Sequence, residues 1–505
     1  MKKMNLLAMS LVSAAALSFS SCSSNDDLAG GAGTQSQVKG FYMTLAVQTP
    51  TSNETRTSIE NPIPTEDATA VEAAVKSGTF YLVDANGSVV FSKTLSNQDW
   101  TGAIKDQSGS KKDGKTTLQI QVENVAAGAT YKVYFKAGST AMDGVTEPVT
   151  AGTTGIFTAT GIEKTFTAAA AFDKTCAGDN NFSMFNQNDE TTKGNGYTVT
   201  FEDANKVADN PAKVKYNNEE SAIKIERVTA RVDVPTSATK LTPEELPSTA
   251  SQALKNAVAD AKKKVDNIEL VSYALSNVTN KTYVMQNWNE ANGVWSLAIP
   301  NDATLSKTKN DFGETKYLFK DGGFKALATA TNDYIFENNK TGEEATAMYF
   351  QYHVTLKPSE FEGTADFDDG TFYRYNNVIY TSFAQIYKAY ADVAGLFEGK
   401  NADEMKTAAK TASANEADLA AFRKKYQIEV FKGGMTYYKQ VITDKQLGKD
   451  VIQRNTIYRL NVNKIFNVGA QVPNGEIDKN GLFYLDVTVT VNPWVLNTQD
   501  VTLGD

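Results

Sequence analysis

The chain has 505 residues, of which 41% are hydrophobic and 22% charged, and a formal net charge of −9. That length gives room for two or three domains with full cores, and the acidic balance excludes the clustered Lys and Arg footprint of a nucleic-acid binder. Two cysteines, Cys22 and Cys176, and one histidine, His353, leave little material for disulfide or metal chemistry.

The N-terminus reads as an export signal over residues 1–21. Lys2 and Lys3 form a positive start, and Leu6–Phe19 is an apolar run of about fourteen residues, too short for a stable membrane anchor. It ends in Ser20-Ser21-Cys22, which resembles the lipobox of bacterial lipoproteins, with Phe19 where Leu is usual. Cys22 would then be acylated (palmitate included) and become the first residue. The acidic Ser23–Asp27 that follows looks like an outer-surface sorting signal. Several acyl chains, at about 0.8 kcal/mol per buried CH₂, would hold this precursor on the outer membrane. With Cys22 so used, Cys176 has no intrachain partner and packing must supply stability.

After a Gly/Ser/Gln-rich tether, Leu28–Val38, comes the run FYMTLAVQ. Phe41, Met43, Leu45 and Val47 alternate with Tyr42, Thr44, Ala46 and Gln48, the period-two pattern of a half-buried strand. A polar loop, Thr49–Thr69, carries Arg56, the first Arg in the chain, followed by Thr57. Asn86-Gly87 between two β-rich runs predicts a hairpin. Strands are predicted at Thr117–Val122, Tyr131–Lys136 and, as one long element, Ile223–Val234. Thr242-Pro243-Glu244-Glu245 resembles a capping box opening a helix over Leu241–Val265. Strands resume at Ile268–Ser276, Ala347–Leu356, Thr371–Tyr380, Gln427–Phe431, Thr436–Ile442 and Asn455–Val462, with a helical insertion at about Ala384–Tyr426. The last strand, Gly481–Val491, repeats the opening pattern. Phe483, Leu485, Val487, Val489 and Val491 alternate with polar residues, and Trp494 follows. First and last strands have similar length and β-propensity and could compete for one groove.

Catalytic chemistry has little to stand on. His353 lies in an alternating strand, Cys176 has no motif partner, and no GxSxG, HExxH, P-loop or CxxC sequence occurs. Asp366–Gly370 with Glu362 has the flavour of a calcium loop, but its Gly comes one position early and the closing Glu is missing. An acidic turn is the simpler reading. No cofactor or metal is implied, and the chain is not expected to be an enzyme.

Several segments resemble the fimbrillins of the Bacteroidales type V fimbriae, with the Mfa-type shaft subunit as the nearest pattern. They are Phe41–Val47 followed by Arg56, the stretch IERVTARVDV with Arg227 and Arg231, Tyr437-Tyr438, Val451–Leu460, and the VTVNPWVL of Val489–Leu496. The resemblance implies a mainly β fold of two transthyretin-like β-sandwich domains, 57–240 and 241–505, the second with helical insertions. It implies a lipoprotein precursor whose propeptide, 22–56, is cut after Arg56 by an Arg-specific protease. Removal of Phe41, Met43, Leu45 and Val47 would open a groove. A neighbour's donor strand from about 481–505, carrying Phe483, Leu485, Val487, Val489, Val491 and Trp494, would fill it. Such exchange is head to tail and builds a filament. Partners would be other copies, accessory, tip and anchor subunits, the protease, and an unidentified surface receptor. Alternatives are a tip or accessory adhesin of the same family and an anchored glycan-binding lipoprotein.

Overall fold

The computed structural model describes residues 40–48, 66–68, 72, 75–101, 104–105, 115–168, 176–178, 182–188, 193–291, 294–305, 324–444, 448–473 and 485–496, some of these, 66–68 and 485–496 among them, by their backbone path alone. Cys22, Arg56, Thr57 and Phe483 lie outside the described residues. No described helix is long and apolar enough to cross a membrane.

The first half supplies β1 (Phe41–Gln48), β2 (Glu66–Ala68), β3 (Gly78–Val83), β4 (Val89–Leu95), β5 (Lys115–Val122), β6 (Thr130–Ala137), β7 (Met184–Asn186), β8 (Thr198–Thr200), β9 (Ala212–Lys213) and β10 (Ile223–Arg227). All but β2 join one sheet with the central order β8-β6-β7-β10-β1-β5. There β9 also pairs β1, while β3 pairs β4 and β6. The β3–β4 hairpin forms where Asn86-Gly87 predicts it. Asp84 Oδ1 accepts from the amides of Asn86 and Ser88, each at 2.9 Å. Gly87 takes φ +87°, and a Cβ there would stand 2.6 Å from the Phe157 carbonyl oxygen, so both conformation and space call for glycine.

The second half supplies β11 (Ala230–Val232), α1 (Gln252–Lys264), β12 (Val265–Ser276), β13 (Asp333–Ile335), β14 (Ala347–Leu356), β15 (Phe372–Tyr375), β16 (Val378–Tyr380), the helices α2 (Phe383–Ala389), α3 (Ala402–Ala412) and α4 (Glu416–Tyr426), then β17 (Ile428–Phe431), β18 (Met435–Val441), β19 (Thr456–Ile465) and β20 (Leu485–Leu496). They form three main sheets, ordered β2-β20-β19-β11-β13, β12-β14-β18 and β16-β15-β17. The protein is thus mainly β, and α2, α3 and α4 cluster between β16 and β17 as the composition of that stretch predicts.

Three local expectations need correction. Ile223–Val234 is not one strand, because pairing stops at Val228-Thr229 and resumes as β11 in a different sheet. The alternation continues through the break since Val228, Ala230 and Val232 are buried too, in other cores. Thr242–Glu245 does not open a helix. Leu241 exchanges backbone bonds with Ile268 and the Glu244 amide donates to Ile465, so this backbone is already in use. The helix starts after Ser251, whose side chain accepts from the Leu254 amide. Thr371–Tyr380 is a tight hairpin, turned at Asn376 and Asn377 with φ 47° and 63°, a conformation Asn tolerates better than most residues.

Candidate functional site

β1 lies inside the first sheet and not at its margin. It runs antiparallel to β5 along its whole length, from Phe41 opposite Val122 to Gln48 opposite Lys115. On its other side it runs parallel to β9, with Met43 opposite Ala212, and to β10, with Val47 opposite Ile223. Phe41, Met43, Leu45, Ala46 and Val47 are at most 9% exposed. Phe41, Met43, Leu45 and Val47 pack into a core with Ile120, Val122, Phe201, Ala212 and Ile223. The Phe41 ring meets Phe201 edge-on at 5.5 Å, and Lys206 Nζ sits 5.3 Å from the Phe41 centroid. Burying Phe41, Met43, Leu45 and Val47 contributes about 6–12 kcal/mol by apolar area. Taking β1 away would expose that trough and leave ladder groups of β5, β9 and β10 unpaired. A replacement running in the same direction as β1 would restore the long antiparallel ladder with β5.

The C-terminal strand sits elsewhere. β20 pairs antiparallel with β19, from Leu485 opposite Ile465 to Pro493 opposite Thr456, with an irregularity at Val462. Its last three residues, Trp494–Leu496, also pair in parallel with β2. Leu485, Val487, Val489, Val491 and Trp494 therefore lie in the chain's own second sheet, and β1 and β20 are not brought together. Filling a neighbour's groove with this segment would require it to leave β19.

Two buried ionic clusters brace these sheets. Glu72, 2% exposed, accepts from Arg231 Nη1 at 3.1 and 3.2 Å and from the Tyr334 hydroxyl at 2.7 Å. Its backbone carbonyl accepts from Arg227 Nε at 3.0 Å. Arg231 Nε also donates to Asp233 at 2.6 Å, and Arg459 Nε does the same from β19. Burial alone would lower the Arg231 guanidinium, but hydrogen bonding and charge from Asp233, then Glu72, hold it above the usual arginine range. Burial, then the bond to Glu72, raises the Tyr334 phenol, so it stays protonated and donates. In the second cluster Arg454 Nε and Nη2 meet Glu337 Oε2 at 2.9 and 2.8 Å. Arg454 also donates to the Val284 and Tyr283 carbonyls and to Thr282 Oγ1. The sequence marks Arg227 and Arg231 and the stretch Val451–Leu460 that contains Arg454, but gives no sign of Glu72 or Glu337. The available signal is that an Arg within a buried apolar strand demands a counter-charge.

The residues weighed for catalysis or metal binding have structural partners. Burial pushes the Cys176 thiol up to about 12, away from nucleophilic range. His353 is half-buried in β14 with Glu269 and Met435 opposite it in the ladder. Asp366 Oδ2 accepts from the Tyr373 hydroxyl and the Phe383 amide, and Asp369 Oδ1 from the Thr371 amide. Those carboxylates cap a hairpin and a helix, and among the described residues no group of three or more His, Cys, Asp or Glu is arranged to hold a metal.

Residues 429–500 match the C-terminal family of fimbrillin, the major fimbrial subunit protein type IV. The fimbrillin match runs from β17 through β18 and β19 to the end of β20, and so contains the strand proposed as donor. Solved structures from Parabacteroides distasonis ATCC 8503 are similar more loosely. Two candidate cell adhesion proteins, each 13% identical, align over 92% and 90% of this chain and 99% and 100% of their own, with TM-scores of 0.42 and 0.37. A fimbrial assembly protein, 10% identical, aligns over 63% of this chain and 99% of its own, with a TM-score of 0.26. At those scores the likeness is too distant to fix topology or function. No curated protein matches the chain. The fimbrillin match is to a family of structural subunits, in keeping with a non-enzymatic protein.

Proposed function

We propose that this chain is a structural subunit of a cell-surface fimbria and polymerises by strand exchange after proteolysis. The observation that carries the reading is the position of β1. It is a central strand holding five buried side chains, yet it joins the next described strand only across a loop that contains Arg56. The fimbrillin match over residues 429–500 supports a fimbrial role.

In this scheme the chain is exported as a lipoprotein acylated on Cys22. An Arg-specific protease cuts between Arg56 and Thr57, and β1 departs with the lipid. The vacated groove then takes a neighbour's C-terminal segment, either β20 released from β19 or an extension through Leu503. Two domains, 57–240 and 241–505, would each present one partner of the exchange. The fibre would recruit tip and anchor subunits and support adhesion at the cell surface.

The test is to incubate the purified precursor with a trypsin-like protease and follow it by N-terminal sequencing and electron microscopy. A new N-terminus at Thr57 with laddered polymers, lost on deleting residues 481–505, is the expected result. A protein trimmed at Thr57 that stays monomeric would exclude the shaft role and leave a tip or accessory subunit. A precursor that is neither cut nor assembled would leave the anchored binding protein.

A further inference from the structure

The stretch after β1 reaches the opposite pole of the exchange. β2 lies against the end of β20, with Glu66 opposite Trp494, Asp67 opposite Val495 and Ala68 opposite Leu496. Four residues after Ala68, Glu72 is clamped onto β11 and β13 of the same sheet. Its carboxylate is held by Arg231 on β11 and Tyr334 on β13, and its carbonyl by Arg227. In the order β2-β20-β19-β11-β13, neighbouring strands stand about 4.8 Å apart, so β11 is about 14 Å from β2. Four residues reach at most about 14 Å. A clamp at Glu72 therefore keeps β2 tethered within about 14 Å of that anchor.

We propose that β2 and Glu72 form a retaining strap that holds β20 in its own sheet, with Glu72 as its anchoring residue. Release of β20 then requires either the β2 ladder or the Glu72 clamp to open. The consequence for assembly rests on the strand-exchange reading above. A cut at Arg56 falls before β2, so the strap stays on the mature chain while β1 leaves. One N-terminal arm thus carries two devices: β1 fills the acceptor groove and the strap retains the donor. Proteolysis removes only the first. A cut subunit becomes an acceptor at once, and its own strand is given up only when a partner's groove competes for it.

The test locks the strap. Asp67→Cys and Val495→Cys replace ladder partners whose Cα separation in a parallel pair suits a disulfide. They are made in the full chain with Cys22→Ser, so that buried Cys176 is the only other thiol. After protease treatment, the oxidised protein is expected to assemble at least about tenfold more slowly than the same protein in reductant. Equal rates would overturn the strap. If the reduced, cut protein also fails to assemble, the exchange reading fails and the strap is judged on the uncut chain by amide hydrogen exchange. There Glu72→Gln and Tyr334→Phe are expected to speed exchange in Thr456–Ile465 and Leu485–Leu496 at least about tenfold, while β12 and β14 keep their protection. Unchanged exchange in β19 and β20 would overturn it.

Discussion

The double substitution Met43→Ala, Leu45→Ala probes whether β1 is a separately removable strand. Both side chains are fully buried and face the core from alternate positions of one strand. Each truncation costs about 2–5 kcal/mol in a packed interior. Because the two share neighbours, their effects will not simply add, and about 4 kcal/mol is a conservative total. The backbone ladder to β5 is untouched, so the loss falls on side-chain docking. At 1.4 kcal/mol per factor of ten, detachment of β1 becomes about a thousandfold more frequent. Hydrogen exchange on the uncut chain reads this directly: amides of Lys115–Val122 and Ile223–Arg227 lose protection by about that factor, while those of Ala347–Leu356 keep theirs. Thr44→Ala, on the half-buried face, should change exchange by less than about threefold, the effect of a surface substitution. If β14 loses protection in step with β5, β1 opens only with the whole molecule. The reasoning that treats it as a removable plug is then wrong.

Arg454→Ala leaves Glu337 buried without its guanidinium and should cost about 3–5 kcal/mol in urea titration, whereas Arg454→Met combined with Glu337→Gln should cost less because no bare charge remains. Equal losses would show that packing, and not charge pairing, governs that junction. In the fragment beginning at Thr57, Cys176 is the sole thiol, and a thiol reagent at pH 8 should label about a tenth of it or less until the protein is unfolded. Burial also sets an alkaline limit. The Cys176 thiol and Tyr437 phenol are pushed up to about 12 from ordinary values of 9.0 and 10.0. The unfolded chain gives up these protons first, so stability is whole below about pH 9 and declines toward pH 12. Each group removes about 1.4 kcal/mol per pH unit once its unfolded form ionises. Stability that stays flat from pH 9 to 11 would contradict this burial.

Features with local causes were readable in the sequence. The alternation of Phe41–Gln48 depends only on which side of one strand is wet, and the Asn86-Gly87 turn and the helical insertion depend on residues next to each other. Features that depend on distant partners were not. Nothing local marks Val228-Thr229 as a change of sheet, since both of the strands it joins are buried. Leu241–Glu245 has helix-start chemistry, but Ile268 and Ile465 take its backbone groups first. Glu72 meets Arg231 from 159 positions away, and Glu337 meets Arg454 from 117. A sequence can announce a buried Arg while hiding the carboxylate that balances it. The C-terminal strand is an intermediate case. Its pattern shows that one face is buried, but not whether its own β19 or a neighbour's β5 does the burying.

A cryo-EM map of fibres grown from protease-treated protein shows which of the two strands, β19 or a neighbour's β5, buries the C-terminal one. Strand exchange predicts a strand from the neighbouring subunit's C-terminal segment between β5 and β9–β10, running in the direction β1 ran. Finding Phe41–Gln48 still seated there in the assembled fibre would contradict it.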